Sequence, residues 1–249
     1  MKLTYTVTQL DDGKLLKEIA KNKLLLSNRL FNKLKLNHYI YINDKYAYAN
    51  DIVKTGDIIV ADFDYPEEDN TKAQEGEIEV LYEDDWYLAV NKPANLVVHP
   101  CSYHPDNTLS NYVKAYLKNN KKIRPVNRLD NGTSGIVLFA KNEYAQERFN
   151  ELKKENIKKE YIAICSGKFS QTEGIIDSPI ARKEGSLIER EVNFEKGQKA
   201  ITHYKVIKEF TENGNIYSIV SLLLKTGRTH QIRVHMASID KPLIRWYTI

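Results

Sequence analysis

Cysteine is nearly missing. The 249 residues contain two, Cys101 and Cys165, and these do not stand in a Cys-x-x-Cys spacing. A disulfide framework and a structural zinc site are therefore not expected to organise the chain. No stretch approaches the roughly 18 consecutive apolar residues that a transmembrane helix needs. The start, Met1-Lys2-Leu3-Thr4-Tyr5-Thr6-Val7, also lacks the apolar core of a signal peptide. A soluble, cytoplasmic chain is expected. Neither a Walker loop nor a glycine-rich dinucleotide fingerprint occurs, which argues against nucleotide hydrolysis and nicotinamide redox chemistry. Strong charge of one sign is lacking too: 37 Lys and Arg stand against 33 Asp and Glu, a net charge of +4. Average charge thus leaves the partner undecided.

The distribution of charge says more. Lys118, Lys121, Lys122, Arg124 and Arg128 lie in one stretch without an acidic residue, and Lys153, Lys154, Lys158 and Lys159 form a second cluster. Asp62 to Glu79 is strongly acidic instead. The basic clusters flank a loop of unusual composition, Arg128-Leu-Asp-Asn-Gly-Thr-Ser-Gly, which runs directly into the apolar segment Ile136-Val-Leu-Phe-Ala140. Gly132 and Gly135 permit backbone angles closed to other residues, and Asn131, Thr133 and Ser134 can close a turn with side-chain hydrogen bonds. The apolar run suits the middle of a sheet. Such a loop is anchored at one end and presents Asp130 outward. Taken alone, its ordinary reading is a solvated Arg128–Asp130 pair at a strand entry.

Three further segments stand in order along the chain: Lys159-Glu-Tyr-Ile-Ala-Ile164, Thr226-Gly-Arg-Thr-His-Gln-Ile-Arg-Val-His-Met236, and, earlier, Tyr82-Glu-Asp-Asp with Asn91-Lys-Pro-Ala-Asn-Leu-Val-Val-His-Pro100. With the loop, they resemble the motifs of the RluA-type RNA pseudouridine synthases, over about residues 78 to 244. Asn127 stands where that family usually has histidine, and Asn95 where it usually has glycine. The resemblance implies that Asp130 is the nucleophile, Tyr161 the active-site tyrosine and Arg233 the active-site arginine. It also gives Arg128 the task of filling the gap left by a flipped base, and places Leu243 at the pocket wall. His230 and His235, five apart, are read as neither a metal pair nor acid–base partners, since that spacing points rings on a helix apart.

Residues 1–63 read as a separate small unit. Leu15, Leu16, Ile19 and Ala20 have helical spacing; Ser27 can cap a second helix carrying Leu30, Phe31, Leu34 and Leu36; Tyr39–Ile42 and Asp57–Val60 look like strands around the turn Asn43-Asp44. This resembles an S4-type RNA-binding module, which implies that Arg29, Lys33 and Lys35 face RNA. The acidic segment 64–77 reads as a linker, and 78–249 as the second domain. Strands without regular helical crossovers favour an α+β fold on a mixed, mostly antiparallel sheet.

The reaction that the resemblance implies is redox-neutral. It breaks the bond from C1′ to uracil N1, turns the base and rejoins C1′ to C5. It calls for a carboxylate and a dry pocket, with no metal and no cofactor. A monomer acting on structured RNA, ribosomal or transfer, is expected. Two other readings are open: a non-catalytic RNA-binding or assembly factor that keeps the fold, and a retaining glycosidase, which would need a second carboxylate about 5 Å from Asp130. The end of the chain, Lys241-Pro-Leu-Ile-Arg-Trp-Tyr-Thr-Ile249, departs from the family's usual continuation and reads as shortened or altered.

Overall fold

Helical spacing at Leu16, Ile19 and Ala20 produces α1 (Leu16–Asn22), and Ser27 caps α2 (Asn28–Leu36) by accepting a hydrogen bond from the Leu30 amide at 3.1 Å. Leu30, Phe31 and Leu34 are buried, whereas Leu36, expected inside, is 73 % exposed. The computed structural model describes residues 1–118, 121–152 and 157–244. Lys153, Lys154 and the tail 245–249 of the sequence reading lie outside them. The chain divides into two compact units, Met1–Lys154 and Glu155–Ile249.

In the first unit the helices cover a sheet of order β1-β4-β2-β3, formed by β1 (Lys2–Thr6), β2 (Ile40–Ile42), β3 (Lys45–Tyr46) and β4 (Ile58–Asp62). Asn43 and Asp44 both have positive φ, 48° and 64°, the geometry that a tight hairpin between β2 and β3 demands. Further strands β5 (Glu79–Glu83), β6 (Tyr87–Lys92), β7 (Arg124–Pro125) and β8 (Gly135–Ala140) form a second sheet of order β5-β6-β8-β7, with α3 (Leu109–Leu117) and α4 (Glu143–Leu152). Leu88, Val90, Val137 and Phe139 make the centre of its core together with Leu109 and Val113 of α3.

The segment 64–77 lies inside the first unit, so the compact units part at 154/155 and not at the acidic stretch. Electrostatics explains this. Arg124 and Lys114 have side chains only 5 % and 10 % exposed, and a buried cation needs a carboxylate. Glu67 pairs with Arg124, and Asp69 accepts from Lys114 Nζ at 3.0 Å and from the Ile123 amide at 3.1 Å. Tyr65 donates its hydroxyl to Glu143 Oε2 at 2.9 Å. Glu67 and Asp69 are thus internal counter-charges, whereas Glu68, Glu75 and Glu77 are exposed.

The second unit holds β9 (Lys159–Ser166), β10 (Glu173–Asp177), β13 (Ile201–Glu212) and β14 (Asn215–Leu224) in the order β10-β13-β14-β9, the hairpin β11 (Ile180–Arg182) and β12 (Arg190–Val192), and α5 (Gln231–Ser238). Every strand pair among the described residues is antiparallel. The fold is α+β, as expected. No helix among those residues is long and apolar enough to cross a membrane.

Candidate active site

The loop 126–134 joins β7 to β8, and its two ends are held by different means. At the strand end, β8 is central in its sheet, paired on one side with β6 and on the other with β7. At the other end the Val126 amide donates to Leu138 O at 2.8 Å, and the Asn127 side chain then extends the ladder. Its Nδ2 donates to Ile136 O at 2.9 Å and its Oδ1 accepts from the Leu138 amide at 2.8 Å. The residue that departs from the usual histidine thus serves as a peptide surrogate. Between these anchors the Thr133 amide donates to Asp130 O at 3.0 Å, and Gly135 takes φ +130°, open to glycine at little cost. Asp130 is half-buried and Arg128 exposed.

A group that sequence reasoning left without a role supports this loop. Lys92 ends β6, directly opposite Gly135 in the β6–β8 register, and its side chain is fully buried. Its ammonium donates to Pro93 O at 2.8 Å, Leu96 O at 2.6 Å and Asn131 O at 3.1 Å. Three acceptors match the three donors of a charged lysine. Burial pushes the amine down from 10.5 to about 8, with the negative charge of Asp130 working the other way. Asn131 O also accepts from the Asn95 amide at 2.8 Å. Asn95 stands in left-handed backbone, φ 64°, a conformation that asparagine tolerates better than most residues in place of glycine. The only sequence signal was a lysine closing an apolar strand just before a proline.

Tyr161, Leu243 and Arg233 belong to the second unit. Tyr161 pairs with Leu222 across β9 and β14 and is half-buried. Together with Ala163 and Leu243 it packs on a core of Cys165, Leu222 and Met236. Leu243 bridges to Cys165, the Ser166 amide donates to Pro242 O at 2.9 Å and the Ile244 amide to Ile164 O at 3.0 Å, so residues 242–244 line the edge of β9. Arg233, on α5, is half-buried.

The start of α5 is set by a buried polar network. Gln231 Oε1 accepts from Thr226 Oγ1 at 2.8 Å and from the Arg228 amide at 3.0 Å, while its Nε2 donates to Ile201 O and Thr202 Oγ1, both at 3.0 Å. His235 is fully buried, with Nδ1 2.9 Å from Thr202 Oγ1 and Nε2 2.8 Å from Ser178 O. Since Ser178 O can only accept, Nε2 carries the proton, and Nδ1 takes the Thr202 hydroxyl proton. Burial lowers the imidazole below its ordinary range, against the pull of the Ser178 carbonyl and the charge of Asp177. His235 is therefore a neutral structural link, and His230 forms the N-cap of α5 in left-handed backbone. Among the described residues no group of three His, Cys, Asp or Glu is placed to hold a metal ion.

The cations assigned to RNA on α2 have partners within the first unit. Arg29 pairs with Glu143 at 2.5 Å and Glu147 at 2.6 Å, and Lys33 pairs with Glu143 at 2.6 Å. Lys35 donates to Asn32 Oδ1 at 3.3 Å. A phosphate bound by Arg29 or Lys33 would share these cations with the carboxylates.

Comparison with known proteins adds four findings. A family model described as RNA pseudouridylate synthase matches residues 86–238. An RNA pseudouridine synthase of Bacillus subtilis (strain 168), YhcT, is 36 % identical over 245 residues, 97 % of this chain and 80 % of that protein. The ribosomal large subunit pseudouridine synthase D of Salmonella typhimurium is 33 % identical over 250 residues, 98 % of this chain and 75 % of its own length. Among solved structures, human RNA pseudouridylate synthase domain containing 1 matches with a TM-score of 0.57 at 24 % identity, covering 69 % of this chain and 70 % of that one, a likeness of fold.

Proposed function

Because the chain belongs to the RNA pseudouridylate synthase family, we propose that Asp130 is the nucleophile with which it isomerises uridines of large-subunit ribosomal RNA in the cytoplasm. The observation that carries the assignment is the bracing of the 126–134 loop. Asn127 ties one end to β8, and the buried Lys92 holds the carbonyl of Asn131, the residue next to Asp130. A carboxylate whose backbone is fixed before substrate arrives meets the demand of covalent catalysis for a positioned nucleophile. Attack at C1′, attack at C6, and stabilisation of a glycal after deprotonation at C2′ are all consistent with this placement. The ribosomal substrate is taken from the naming of relatives such as the Salmonella enzyme.

In this reading Arg233 pairs with Asp130 in the substrate complex through parallel hydrogen bonds that keep the carboxylate aimed. Tyr161 stacks on the target uracil, Leu243 closes the pocket wall, and Arg128 takes the place of the extruded base. The S4-like module supplies affinity, with Lys35 the cation on α2 not engaged with a carboxylate among the described residues. The protein acts as a monomer, and the chemistry calls for neither metal nor redox group.

Carbodiimide mapping of pseudouridines in total RNA, from cells with the gene, without it, and with Asp130→Asn, tests the reading. One or more positions in large-subunit RNA are expected to vanish in both the deletion and the variant. Purified Asp130→Asn should keep RNA affinity within a few-fold while losing turnover. A variant that converts uridine within tenfold of the wild-type rate would sink the nucleophile assignment. Intact modification in the deletion strain would favour a binding or assembly factor.

A further inference from the structure

The hairpin β11–β12 sets two arginines directly opposite one another, Arg182 against Arg190. Directly opposed side chains in an antiparallel pair stand about 4.5–5.5 Å apart at Cβ, and like charges there destabilise the sheet. Such a pair calls for a compensating anion. Carboxylates of the hairpin do not supply it: Glu189 pairs with Lys183 at 2.8 Å, and among the described residues no ion pair involves Arg182 or Arg190.

The two arginines line a cleft of about 480 Å³ whose other walls carry Lys196, Gln198, Gly227 and Arg228. Among the described residues four cations and no carboxylate line it. Its volume is that of a pocket for a sizeable ligand rather than a lone ion. The walls are built firmly. Arg228 Nε donates to Lys199 O at 3.1 Å, and one terminal nitrogen of Arg190 donates to Glu189 O at 3.1 Å and Ile188 O at 3.3 Å, which leaves the other terminal nitrogen of Arg190 and both of Arg228 for a ligand. The turn that carries Lys196 is closed by its amide donating to Asn193 Oδ1 at 2.9 Å.

We propose that this cleft binds the phosphodiester backbone of RNA. The proposal rests on the reading of the chain as an RNA-modifying enzyme. Arginine forks match phosphate oxygens in pairs, and a cleft of one sign draws a polyanion. Its place also gives it a use. Arg228 and Gln231 are joined by a hydrogen bond, and Gln231 fixes the start of α5, the helix that carries Arg233. A strand held at the cleft therefore sets its register against the element that bears the candidate active-site arginine.

The test is the salt dependence of binding to a fluorescein-labelled RNA hairpin, compared for wild type, R182Q/R190Q and R182K/R190K. Each lost phosphate contact should lower the slope of log affinity against log salt by about 0.7–0.9. The Gln pair is expected to lose about 1.4–1.8 from that slope, and the Lys pair to recover most of it. Lys196→Gln with Arg228→Gln reads the opposite walls, should the first pair fail to fold. A wild-type slope in both Gln pairs overturns the proposal. Turnover of the same RNA by wild type, measured in parallel, separates the two failures: an active enzyme with an unchanged slope loses only the cleft, and an enzyme inactive on every RNA tried loses the reading beneath it.

Discussion

Replacing Lys92 by Met should loosen the candidate catalytic loop and cost stability at the same time. The ammonium makes three hydrogen bonds to the carbonyls of Pro93, Leu96 and Asn131. Bonds to a charged donor contribute about 1.5–3 kcal/mol each. Against this stands the burden of burying the charge. Depression of the amine from 10.5 to about 8 corresponds to roughly 3.4 kcal/mol against the charged form. The bonds win, and Lys92→Met should destabilise the protein by about 1–6 kcal/mol at neutral pH. Urea titration measures this. The pH dependence has a definite sign. Between about 8 and 10.5 the unfolded chain holds the proton that the folded amine has lost, so the stability of wild type relative to the variant rises with pH across that window. Activity should move the other way. A neutral amine has two donors for three carbonyls, so wild-type kcat/KM is expected to fall as pH climbs through about 8, while the variant, slower by tenfold or more, shows no such limb. A variant with an unshifted urea midpoint and a kcat/KM within twofold of wild type would refute the clamp.

Arg128→Ala should slow reaction on an RNA stem-loop far more than on a flexible single strand of the same sequence, since unstacking a base costs a few kcal/mol only where it was stacked; equal losses would remove the flipping role. Glu143 is pushed up by burial, but the hydrogen bonds of Lys33 and Tyr65 and the charge of Lys33 prevail and hold it at about 2, below the usual 4.5. Its contribution, up to about 3 kcal/mol, is complete above pH 4.5 and lost as pH falls toward 2, and Glu143→Gln should flatten the acid limb of a stability curve. His235, neutral in the fold, should cost stability as pH falls below 6.5, where only the unfolded imidazole takes a proton. Urea midpoints on either side of that value, in wild type and His235→Gln, should show the limb in wild type alone.

What was legible in the sequence was what depends on neighbours in the chain. Ser27 caps its own helix, Asn43-Asp44 makes its own turn, and Ile136 to Phe139 carries strand propensity in its own composition. What was not legible depends on partners far along the chain. Glu67 looks like part of a solvated linker until Arg124 is buried beside it, and nothing in α2 itself shows that α4 brings Glu143 to Arg29 and Lys33. The strands β1, β7, β10, β11 and β12 are two to five residues long and gain their identity from the strand opposite, not from periodicity. The candidate site is made of both kinds of information. Asp130 was visible because the loop that bears it is local. The support beneath it was hidden, because Lys92 reaches Asn131 only after β6 has paired with β8 and set Lys92 against Gly135. That pairing makes the position of the carboxylate a property of the whole sheet, so a change in the register of β6 should disturb the loop as surely as a change in the loop itself.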